Sequence, residues 1–377
     1  MYRSLLPALL GASCLYTAPI LPQKISSGQL KEMVTAGQNG TDSIIAERLT
    51  GMELTDQLSG SRLADLMVKL PGDKSRMELT ILADQSIFLA PPADEVPADA
   101  APDSAALHGM LVKIVNYVNT TVRELPNLSA TRFTNAFEDR PREERLTSTG
   151  IESLGYLPLH WVGSLNVDVT YRERQEVEDK GARAKKQGEG VAGLITNGEF
   201  GPILSTVLAD ALKGKITWAG WEKDSDATLA VFHYQVPEER SNYHVKFCCV
   251  TAGADYNGNP TTPQLFDVRA AYHGDIVFNL ADGSIRRLTL EAEMPQGGLV
   301  AGAGIAIEYA DTEIGGHRYI CPVKSISMLK AHEGQQSAAF SMADYKGPAK
   351  VFMNDVTFSN YRRFGSEMKI LEGPAAQ

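Results

Sequence analysis

An α+β fold is predicted: a large curved antiparallel sheet of about ten strands, covered by one or two helices and preceded by a helical hairpin. Three observations carry the prediction. Apolar residues recur at three- and four-residue spacing up to Leu125 and at two-residue spacing from Ser129 onward. Turn signals, among them Asp282-Gly283 and Gly315-Gly316, separate the later segments. Those segments are apolar on one face only, which suits a sheet wrapped over helices and not a parallel sheet covered on both sides.

Taken in order, the chain opens with "MYRSLLPALLGASCLYTAPI", one positive charge (Arg3) followed by an apolar stretch interrupted at Pro7. This is the pattern of a secretory leader, assigned to residues 1–26, and "LGASC" is close to a lipoprotein cleavage box ending at Cys14. Export to the periplasm or beyond is therefore expected, with attachment at the outer membrane as one form of it. Residues 27–89 read as helical. Leu63, Leu66, Met67 and Leu70 stand at helical spacing before a Pro71-Gly72 turn, and Leu79, Leu82, Ala83 and Ile87 after it. The Pro- and Ala-rich "APPADEVPADAAPDS" (90–104) is a linker or extended strap, and the main domain is expected over 105–377.

That domain begins with one strong helix. Asp103 or Ser104 caps it, Leu107, Leu111, Ile114, Val118, Val122 and Leu125 form its stripe, and Pro126 ends it. In "GSLNVDVTYRERQEV" the period changes to two, and a short helix in "NGEFGPILSTVLADALKGK" interrupts the strands. "AYHGDIVFNLADGSIRRLTLEAE" makes the pattern plain. Tyr272, Ile276, Phe278, Leu288 and Leu290 share one face, while Asp275, Asn279, Arg287, Thr289 and Glu291 share the other. The apolar face needs a cover. If the cover is an acyl chain or a lipidated partner, the groove wall is Leu165, Val167, Val169, Tyr171, Ile276, Phe278, Leu288 and Leu290. If it is the 104–125 helix, the core is self-filled and the protein acts through interaction with others.

Composition narrows the function. The chain has 377 residues, 43% of them hydrophobic, enough for a substantial core. A net charge of −10 argues against nucleic acid as a partner, and the basic run "KGARAKKQGEG" (180–190) reads as a solvated loop. No segment after the leader has the roughly 18 apolar residues that span a bilayer. Cys14, Cys248, Cys249 and Cys321 have no zinc-ligand spacing. Cys249 shares the more apolar strand face with Val245 and Phe247, so a Cys249–Cys321 bridge is expected, with buried free thiols or a Cys248–Cys249 bridge as alternatives.

Motifs for catalysis are missing. "GIESLG" has the wrong spacing for a nucleophile elbow, "GAGIAIEY" lacks the third glycine of a dinucleotide loop, and "AHEGQQ" lacks a second histidine. No cofactor is expected. His233, His244 and His273, with Asp275, form the one constellation worth testing, as metal ligands or as part of a serine hydrolase site. Trp218 and Trp221, near Phe232 and Tyr234, can fill a core or line a pocket, and core is the ordinary outcome.

The order of elements resembles the LolA-like half-barrel superfamily over about residues 105–371. It shares the long amphipathic helix, the antiparallel run, the inserted "GEFGPIL" helix, the "ADGSIRRLTL" hairpin and the late "YADTEIGGHRYICPVKSISM" strand pair. The chain also looks like a member of an unassigned group of exported bacterial proteins. The resemblance implies a non-catalytic component of the bacterial envelope whose partner is a lipid, a lipidated protein or another envelope protein.

Overall fold

The computed structural model describes residues 22–37, 40–147, 150–173, 175–178, 192–196, 198–224, 227–250, 264–334 and 346–363. Of the expected leader 1–26, residues 1–21, Cys14 among them, lie outside the described residues, as does the basic run 180–190.

The N-terminal part holds β1 (Gln23–Ile25), α1 (Ser27–Ala36), α2 (Asp42–Thr50), β2 (Met52–Leu54), α3 (Gly60–Met67) and α4 (Asp73–Gln85). The α3–α4 pair is the predicted hairpin about Pro71-Gly72. The other two helices and the parallel pairing of β1 with β2 are additions to it. Each start has a local cause. Ser26 and Gln29 form a reciprocal capping box on α1. The Asp42 carboxylate accepts from the backbone N–H groups of Lys74 (3.1 Å) and Ser75 (2.9 Å), so α2 caps α4. Those bonds, with the Ser75 side chain first, hold the Asp42 carboxyl below its usual range. Leu30, Leu49, Leu66 and Leu79 are fully buried in a core belonging to this unit.

Helix α5 (Ser104–Glu124) follows, with the Asp103 side chain accepting from Ala106 N–H at 2.8 Å. Then come β3 (Leu128–Arg140), the hairpin β4 (Glu143–Thr147) and β5 (Gly150–Leu154), β6 (Leu157–Arg172), β7 (Gln175–Glu178), β8 (Gly193–Leu194) and α6 (Pro202–Ala211). The remaining strands are β9 (Lys215–Asp224), β10 (Ala227–Val236), β11 (His244–Val250), β12 (Gln264–Arg269), β13 (Ala271–Asn279), β14 (Ile285–Glu293), β15 (Val300–Ile314), β16 (His317–Gly334) and β17 (Lys346–Arg363).

Ten of these strands form one open sheet in the order β7-β6-β3-β17-β16-β15-β14-β13-β10-β9, as the fold class predicts. Every strand pairing described within it is antiparallel. The Asp282-Gly283 turn closes β13–β14: Gly283 takes φ 76° and Ser284 N–H donates to the Asp282 carboxylate at 2.9 Å. Helices α5 and α6, with the small sheet β12-β11-β8, cover one face, here called the inner face. The α4 helix reaches the opposite, outer face through Ile81, which packs with Phe137, Leu159, Ile326 and Met353.

Candidate functional site: a cavity under the strap

The predicted groove wall divides into two buried clusters, and the chain itself covers them. Ile276, Phe278, Leu288 and Leu290 are at most 2% exposed and pack with Ile114 and Val118 of α5 and with Ile203, Val207 and Leu208 of α6. Val169 and Tyr171 lie apart from them, against Leu125, Phe200 and Phe358. Leu165 and Val167 are only partly buried. Phe278 stacks on Phe232, ring centroids 5.9 Å apart, and Trp218 meets Phe232 edge-on at 5.6 Å. Burial of this kind contributes about 1.5–3 kcal/mol for each large side chain. The α6 helix is also pinned by polar contacts. Asp210, fully buried, accepts from Asn242 N–H (2.7 Å), Asn242 Nδ2 (2.6 Å) and Tyr272 Oη (3.0 Å).

Open volume lies on the outer face. Residues 87–98 run across it as a strap and roof a cavity of about 820 Å3 whose floor comes from β9, β10, β13 and β14. The strap is held at several points. Arg62, 9% exposed at its side chain, donates from Nη1 to Ser27 Oγ (2.8 Å) and from Nη2 to Asp94 Oδ2 (2.8 Å), with Glu95 Oε1 at 2.6 Å. Gln57 N–H donates to Ala90 O (2.8 Å), and Trp221 Nε1 donates to Ala100 O (3.2 Å). Phe88 lies so close over β15 that a Cβ on Gly304 would sit 3.0 Å from its ring.

Two of the three histidines singled out in the sequence meet on the cavity floor. His233 Nδ1 lies 2.8 Å from Asp275 Oδ1, and the His233 and His273 rings are 5.9 Å apart. His273 is paired in register with Glu291, as His233 is with Asp275, so imidazoles and carboxylates alternate across three strands. Burial lifts the Glu291 carboxyl above its ordinary value. The His273 imidazole opposes that shift, and Asp275 adds to it. His244 is elsewhere, on β11 of the small sheet, 2.7 Å from Asp267. The His233–His244–His273 set therefore does not converge. Among the described residues no three His, Cys, Asp or Glu side chains are disposed to hold a metal ion.

The His233–Asp275 pair has the form of a base and its orienting carboxylate, but among the described residues no serine or cysteine lines the cavity. Thr289, the one hydroxyl among the described lining residues, already accepts from Asp275 N–H at 2.9 Å. What the arrangement offers is a polar floor under an apolar roof, which suits binding.

The Glu222–Arg287 ion pair divides this cavity from a second one of about 340 Å3, and both residues line both spaces. Arg287 Nη1 and Nη2 each donate to one Glu222 oxygen, at 2.7 and 2.5 Å. Below the second cavity Lys324 bonds Asp84 of α4 and lies 3.8 Å from Asp355, tying the N-terminal unit to the sheet. One lysine serves two buried acids. Burial first, then the Asp355 charge, raise Asp84 to about 7.

A further acidic pair is buried on the inner face. Glu176 and Glu199 lie 4.0 and 3.9 Å from Arg132, which also donates to Thr196 Oγ1 at 3.0 Å. Cys321 is a free, fully buried thiol, and burial pushes it up to about 12. The Cys249 side chain falls outside the described residues.

The sequence reading found His233, His273 and Asp275 but not the strap cavity, nor the Glu222–Arg287 and Asp84–Lys324 pairs. A signal was present. A helical unit with a Pro-rich strap precedes the sheet in the chain.

Among the described residues no helix is long and apolar enough to cross a membrane. No protein-family model matches the chain, and no curated protein matches it at a significant level. Two solved structures are faintly similar. The complex of Pseudomonas aeruginosa MucA and MucB has TM-score 0.20 and 8% identity, over 68% of this chain and 99% of that one. MucB in complex with periplasmic MucA has TM-score 0.18 and 8% identity, over 68% and 100%. Likenesses this faint carry no argument about fold or partner.

Proposed function

We propose that the protein is a non-catalytic binding component of the bacterial cell envelope. Its apolar sheet face is filled by its own helices, and it recognises its partner molecule in the strap cavity on the opposite face. The burial of Phe278 and Leu290 beneath α5 and α6 carries this reading, because the side chains that would hold an acyl chain already have a cover. A cavity of about 820 Å3 with a few convergent polar groups has the dimensions and make-up of a small-molecule site.

A fluorescent fatty-acid probe tests the self-filled face. Wild-type protein is expected to take up none, and Phe278→Ala to lose about 3–5 kcal/mol of stability in urea denaturation. Micromolar uptake that Leu290→Asp abolishes, in a variant still folded by circular dichroism, would restore the groove reading. Export has its own test, since it rests on residues 1–26. Protein recovered from the periplasmic fraction is expected to begin after the apolar stretch by N-terminal sequencing, and a cytoplasmic chain beginning at Met1 would overturn it.

A further inference from the structure

The residues that line the strap cavity restrict the charge of what enters it. Arg287 is the one Lys or Arg among the described lining residues, and both of its terminal nitrogens donate to Glu222. An incoming anion would find no lysine or arginine there that lacks a carboxylate partner. The carboxylates of the floor are Asp275, 2.8 Å from His233 Nδ1, and Glu291, in register with His273.

A carboxylate taken partly out of water is stabilised by an opposite charge that enters with little water of its own. The roof contributes Phe88, Leu89, Val96 and Pro97, apolar side chains that suit a hydrocarbon tail and offer nothing to a strongly hydrated metal ion.

We infer that the strap cavity takes an organic cation with an apolar tail, its ammonium group set on the Asp275–Glu291 floor beneath the apolar roof. This inference rests on the reading of the cavity as the binding site. It is a statement about ligand class: amines and quaternary ammonium compounds enter, and carboxylates of the same length are turned away.

Isothermal titration of the full mature chain with hexyltrimethylammonium, hexanoate and hexanol separates the possibilities. Hexyltrimethylammonium is expected to bind at least about ten-fold more tightly than hexanol, and hexanoate not to bind. Asp275→Asn and Glu291→Gln are each expected to reduce the cation to the affinity of hexanol. Asp267→Asn, on the separate small sheet, leaves it unchanged. If all three probes bind alike and neither floor variant alters them, the cavity is a site but the ligand class is wrong. If none binds, and none shifts the amide resonances of residues 87–98, both the class and the cavity reading fail.

Discussion

Gly274→Ala is expected to destabilise the protein strongly, although it adds one methyl group. A Cβ at Gly274 would lie 2.0 Å from the carbonyl oxygen of Thr289 and 2.9 Å from the Tyr234 hydroxyl, and the first of these neighbours is backbone. That carbonyl accepts the Tyr234 hydroxyl proton at 2.6 Å, while Asp275 N–H turns to the Thr289 hydroxyl. The strand pair is thus locally rearranged around a tyrosine that is fully buried beside Tyr272. A methyl group must push the β14 backbone outward, break the Tyr234 bond and disturb the floor of the strap cavity together. Overpacking plus one orphaned buried donor costs on the order of 4 kcal/mol, a large share of the stability of an ordinary domain. Gly302→Ala is the control. It too lies in a strand of the large sheet, but no atom stands within 4 Å of its added Cβ, so its stability in urea denaturation should stay within about 0.5 kcal/mol of wild type. Equal midpoints for the two variants would show that β14 yields easily at Thr289.

This close approach also marks where the sequence ceased to be informative. One-face alternation in "GDIVFNL" and "IRRLTLEAE", with Asp282-Gly283 between them, was enough to specify a hairpin and its apolar face. The same logic extended over the chain gives an open antiparallel sheet of ten strands, and the stripe Ile114, Val118, Leu125 gives a helix that must lie on something. What periodicity does not state is which surfaces find each other. An apolar face reads the same whether its cover is a helix of the chain or a lipid, so Phe278 and Leu290 fit either wall. The outer face was harder still. Ile81 and Asp84 sit more than two hundred residues from Ile326 and Lys324, and no local pattern announces that they meet. His233 and Asp275 were visible by residue type alone, and only the structure shows that they stand directly opposite on neighbouring strands. Glu222 and Arg287 were not, because their pairing reaches across the width of β10 and β13.

Raising the pH from 5 to 9 is expected to destabilise the protein, with Glu176 as the largest single cause. Its side chain is 3% exposed and that of Glu199 1%, with one guanidinium between them. Burial, followed by the neighbouring Glu199, raises Glu176 to about 8, and Arg132 offsets only part of that. A carboxyl whose folded value lies above its unfolded one contributes stability that is fully present below the unfolded value. It is lost as pH rises through the folded value, which here sets a window from 4.5 to about 8. Asp84 acts in the same direction over 3.8 to about 7. Asp42 and Asp267, both held below their ordinary values, act the other way, but only in more acidic solution. Each displaced unit is worth about 1.4 kcal/mol, so Glu176 alone accounts for on the order of 5 kcal/mol between the ends of its window. Glu176→Gln keeps the size of the side chain and an acceptor for Gly198 N–H, which lies 2.9 Å from the Glu176 carboxylate, while removing the second charge from Arg132. Urea midpoints measured at pH 5 and pH 9 should therefore fall steeply for wild type and much less for Glu176→Gln, whose stability at pH 9 should exceed that of wild type. An unchanged slope in the variant would mean that Arg132 neutralises both carboxylates and that the pair costs the fold nothing at neutral pH.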